Sequence, residues 1–156
     1  MSLLSLKLNE VDTSYPLLVN GDHQVTIETA TLETSKKDER LLNLKVVYKT
    51  INDTQDQKGH DVKAGYKLTT YYPIPSEYRD EEKNENMLKN LTKLALAVCG
   101  YEDTADGKAQ LQEFDEAIIE AMSSKTVLAK VKTSKPAEDD QYGPKSEIGS
   151  VRALVG

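Results

Sequence analysis

Two periodicities divide the chain. From Asp22 onward, apolar and polar residues alternate: Val25, Ile27 and Thr29 fall on one side, Gln24, Thr26 and Glu28 on the other. A period of two marks a strand with one buried face and one wet face. Leu32 falls out of phase, which predicts a bulge near Ala30-Thr31. After the polar connection Ser35–Arg40, Leu42, Leu44, Val46 and Tyr48 alternate with Asn43, Lys45, Val47 and Lys49. A second polar turn, Asn52–Gly59, leads to a third predicted strand, Val62–Tyr72. Tyr66, Leu68, Thr70 and Tyr72 share one of its faces; Lys67, Thr69 and Tyr71 share the other. Pro73 and Pro75 end it, because proline cannot donate to a ladder.

The period then changes. Asp80-Glu81-Glu82 put acid where a helix dipole favours it, and Leu88, Leu91, Leu94, Ala95 and Val98 recur at spacings of three and four. Gly100 is a natural stop. A linker with Asp103 and Asp106-Gly107 precedes a shorter predicted helix, with apolar positions Leu111, Phe114, Ile118, Ile119 and Met122. Alternation returns in Thr126–Thr133, where Val127, Ala129 and Val131 oppose Leu128, Lys130 and Lys132. A polar loop, Ser134–Ser146, separates this strand from a closing one, Ile148–Leu154.

Three strands, helix, two strands is the element order of the OB-fold, a five-stranded Greek-key barrel that binds oligonucleotides or oligosaccharides. The expected fold is therefore mainly β: a five-stranded OB-fold-like barrel with helices between strands three and four. The expected division is an N-terminal arm over 1–21 and one domain over 22–156, with the helical insert at 77–124. Leu3, Leu4, Leu6 and Leu8 make the arm a candidate edge strand, and a candidate for pairing with a neighbouring subunit.

Composition narrows the chemistry. A chain of 156 residues suits one domain with a sizeable core. The apolar run Leu94–Cys99 is far too short to span a bilayer. Met1-Ser2-Leu3-Leu4 lacks the charged start of a signal peptide, and Cys99, the single cysteine, fits a reducing cytoplasm, so a cytoplasmic protein without membrane association is expected. Cys99 is expected to pack against the helix it follows. The net charge of −6 is uneven: Ser76–Ser124 holds five basic residues against twelve acidic, whereas Lys125–Gly156 holds six against four. Local potential, not the total, governs anion binding.

Enzymatic motifs are lacking. Gly59 and Gly65 open no phosphate loop, and Asp53, Asp56 and Asp61 do not have calcium-loop spacing. His23, His60 and Cys99 are too few for a zinc site. The clusters Asp80-Glu81-Glu82 and Glu138-Asp139-Asp140 fit a helix start and a turn better than a two-metal nuclease centre. No catalytic residue, metal or cofactor is expected.

Binding a single strand needs a cationic groove along the backbone and aromatic faces for bases. Lys45, Lys49, Lys67, Lys130 and Lys132 project from predicted outer faces, and Tyr71 shares its face with Lys67. Tyr142 and Lys145 lie in the last loop, and Arg152 is on the closing strand. Tyr48 shares its face with Leu44 and Val46 and is expected in the core.

Four stretches also carry a resemblance: Tyr15–Ile27, Arg40–Val46, Leu88–Val98 and Val127–Leu154. Together they resemble a family of small phage-encoded proteins of recombination and replication gene clusters, regarded as OB-fold single-stranded-DNA-binding proteins. The resemblance implies a non-sequence-specific single-strand binder supporting phage replication or recombination, with proteins of those processes as partners. A second expectation stands beside it. The acidic helical layer would suit a protein-docking module without DNA affinity of its own.

Overall fold

The structure is a computed structural model that describes residues 17–111, 114–134 and 145–154. Its frame is a five-stranded antiparallel sheet built from β1 (Gly21–Thr34), β2 (Leu42–Thr50), β5 (Lys67–Pro73), β6 (Thr126–Ser134) and β7 (Lys145–Ala153). Their order across the sheet is β5-β2-β1-β6-β7. The short strands β3 (Thr54–Gln55) and β4 (Asp61–Val62) form a separate hairpin. No ladder joins β5 to β7 among the described residues, so the sheet is open at those two edges.

Alternation places the core as expected. Val25, Ile27, Leu44, Val46, Tyr48, Val127, Ala129 and Val131 are buried on one face. Tyr48 and Tyr72 meet there, their hydroxyls 2.6 Å apart. Burial raises both phenols, that of Tyr72 to about 12. A buried hydroxyl needs a partner, and each of these supplies the other's.

The bulge falls earlier than the sequence suggested. Register shifts between Ile27 and Thr29, leaving Glu28 as the extra residue. Leu32 is thereby brought opposite Leu44, which accounts for its change of phase. The predicted third strand is also divided. Asp53 accepts the Ala64 N–H, Gly65 adopts a positive φ of 96°, and the Gly65 N–H bonds the Thr50 carbonyl, so the chain turns between β4 and β5.

Helix α1 (Glu81–Cys99) is capped at both ends. The Asp80 side chain accepts the Glu82 N–H, and Gly100, at φ 76°, donates back to Ala97. Left-handed backbone there suits a residue without Cβ. Leu91, Leu94, Ala95 and Val98 are buried as expected, but Leu88 is 59% exposed, on the flank of the helix it shares with Glu85, Lys89 and Thr92. Cys99 is exposed, contrary to the packed position expected of it. The expected linker holds a short helix, α2 (Ala105–Ala109), capped by Thr104. The shorter predicted helix is α3 (Glu116–Met122), capped by Asp115, which begins after Leu111 and Phe114. Ile119 and Met122 of α3 reach the core. Arg79 ties the connection before α1 to the sheet, donating to the carbonyls of Ile74 and Leu42. No helix among the described residues is long and apolar enough to cross a membrane.

Candidate nucleic-acid interface

Ladder register fixes which side chains stand together on the outer face. Residues directly opposite across antiparallel strands share a face and lie about 5 Å apart. Tyr71 of β5 stands opposite Lys45 of β2, which stands opposite Thr31 of β1. Thr69, Val47 and Thr29 form the next row, and Lys67, Lys49 and Thr26 the one after. The expected cluster of Lys45, Lys49, Lys67 and Tyr71 is therefore brought together on adjacent strands. Tyr71 is 55% exposed, whereas Tyr72 beside it is buried. The pleat alone separates these neighbours.

Lys49 and Lys67 face each other directly, an arrangement that costs energy unless an acid relieves it. Glu28 does so from the bulge. Its Oε2 lies 3.3 Å from Lys67 Nζ, an ion pair without hydrogen-bond alignment. Lys45 and Lys49 form no ion pair among the described residues. Glu33, opposite Asn43, is a second acid on this face.

The other end of the sheet differs. Arg152 donates from Nη2 to Asp22 at 2.7 Å, and Lys132 lies 3.7 Å from Glu147, its direct cross-strand partner. The Lys132 stem runs over Gly149, where a Cβ would crowd its Cδ at 3.2 Å. Lys130, between Asp22 and Ser150 in the ladders, is exposed and forms no ion pair among the described residues. Lys145 begins β7 and is exposed. Tyr142 lies outside the described residues.

The sequence reading passed over two groups. Arg40, in the β1–β2 connection, stacks over Tyr78 with 4.7 Å to the ring centroid. It also binds Asp38 through two nitrogens, which pulls the Asp38 carboxyl down to about 2. Tyr78 is half exposed. An aromatic just after two prolines was the available signal. The second group is Asn90 and Lys93, on the α1 turn beside the open edges. Their helical spacing gave no hint of the sheet edge they would meet.

No cluster of three or more metal-ligating side chains occurs among the described residues. The chain matches no protein-family model and no curated protein.

Proposed function

We propose that this chain binds single-stranded nucleic acid, DNA in the first instance, with little sequence preference, through the outer face of β2 and β5. One observation carries the reading: exposed Tyr71 stands directly across the ladder from Lys45, with Lys49 and Lys67 two rows away. An aromatic face and adjacent ammonium groups are what a flexible strand uses, one for its bases and the other for its phosphates. The strand order, with the helices inserted between β5 and β6, supports an OB-fold-like arrangement in which β5 and β7 flank the opening of the barrel. In that fold, the face of the second and third strands is the binding surface, and β2 and β5 occupy those positions here.

Lys45 and Lys49 take phosphates and Tyr71 stacks on a base. Lys130 adds a further cation, while Arg152 and Lys132 contribute only if released from Asp22 and Glu147. The family resemblance adds phage replication or recombination as the setting. Anisotropy titrations with labelled oligothymidylate and a matching duplex, at two salt concentrations, test the reading. Preferential and salt-sensitive binding to the single strand is expected; equal or absent binding to both overturns it.

A docking module remains the second reading, favoured by Leu88. It stands exposed over a groove lined by Glu85, Lys89, Thr92 and Lys108. Binding of a partner protein that Leu88→Ser abolishes, in a chain that binds no DNA, would decide for it.

A further inference from the structure

The edges β5 and β7 approach each other without a ladder, and a cleft of about 150 Å³ separates them. Its walls are Thr70 to Pro73 on one side and Ile148 to Val151 on the other; Asn90 and Lys93 of α1 lie at one end. Each strand pairs on one side only, so each turns a row of main-chain N–H and C=O groups toward this gap. Such groups are costly if left dry and unpartnered, and a nucleobase edge offers matching donors and acceptors. Tyr71, the exposed aromatic of the binding face, forms part of the cleft wall.

We propose that this seam receives one unstacked base of the bound strand, passed in beside Tyr71, with Lys93 holding the adjoining phosphate. The inference rests on the single-strand reading above. The volume suits one base and not a whole nucleotide, and Lys93 forms no ion pair among the described residues. A wider cleft of about 330 Å³ continues past Lys93 and Ser150, but Glu102 and Asp103 line it. Those carboxylates repel a backbone, so the phosphate stays at Lys93 and only the base enters. The seam thus gives the interface a position that senses base size, in contrast to the open stacking surface outside it.

The test combines two variants with photocrosslinking of oligothymidylate that carries iodouracil. Lys93→Glu reverses an exposed charge, and Ser150→Phe fills the seam. Ser150→Phe is expected to weaken binding about tenfold, the scale of one lost base contact. Lys93→Glu is expected to weaken binding and lower its salt dependence through the lost phosphate contact, and crosslinks are expected in residues 148–151 as well as in β5. If wild type binds while Lys93→Glu binds equally well and crosslinks avoid β7, the seam inference is overturned and the outer-face reading stands. If wild type binds no single strand, both fall. Should Ser150→Phe fail to fold, Lys93→Glu and the crosslink map decide.

Discussion

The two wings of the sheet carry similar numbers of cations but hold them differently. On the β5–β2 wing, Lys45 and Lys49 are free of ion pairs among the described residues, and only Lys67 is engaged, by Glu28. On the β6–β7 wing, Arg152 and Lys132 are both held by acids, Asp22 and Glu147. A cation already facing a carboxylate must lose that partner before it gains a phosphate, so its net contribution to affinity is small. Counting lysines on strand faces overstates the second wing. The exposed aromatic is also on the first.

The sharpest break of this contrast is Tyr71→Ala. It should weaken oligothymidylate binding about tenfold or more, since a stacked base is worth ~1–3 kcal/mol. Titration by anisotropy checks it, and unchanged affinity would remove Tyr71 from the interface. Next in size is Lys45→Gln with Lys49→Gln. Losing two phosphate contacts should lower the slope of log affinity against log salt by ~1.4, at ~0.7 per phosphate for a single strand. The same exchange at Lys132 and Arg152 should change the slope by much less. Equal slopes for the two double variants would erase the distinction between the wings.

A control comes from the inner face of the first wing. Tyr48→Phe should leave DNA affinity unchanged while costing stability of ~1–3 kcal/mol in urea unfolding, because the Tyr72 hydroxyl then lies buried and unpartnered. Replacing both by Phe should recover part of that loss. If DNA affinity falls with Tyr48→Phe, the two faces are not independent.

Alkaline pH gives a further check on this pair. Both phenols hold their protons more tightly when folded, chiefly through burial. Their stabilisation is whole below the ordinary value of 10.0 and declines above it, that of Tyr72 being lost as pH rises through about 12. The loss should run at about 1.4 kcal/mol per pH unit for each tyrosine. Urea unfolding across that window measures it, and the double Phe variant should show a flatter decline.

Much of this was legible in the sequence, for local reasons. Alternation assigned Val25, Ile27, Leu44, Val46 and Tyr48 to the core and Tyr71 to the outside, because the pleat sends successive side chains to opposite faces whatever lies around them. Capping residues marked α1 in the same way, through hydrogen bonds made within a few residues. Leu88 departs from the expected buried stripe, since helical spacing does not tell how wide a stripe the rest of the fold covers.

What the sequence determined alone was the long strands and α1, their faces and the outward position of Tyr71 and the lysines. Only the tertiary structure decided which of those lysines are committed to carboxylates. Asp22 and Arg152 lie 130 positions apart and meet only because β1, β6 and β7 pair in register. It also decided that β5 and β7 face each other across a gap beside Lys93. Ion pairs and clefts between distant segments depend on strand order and register, which are set by global packing and leave no mark on local periodicity.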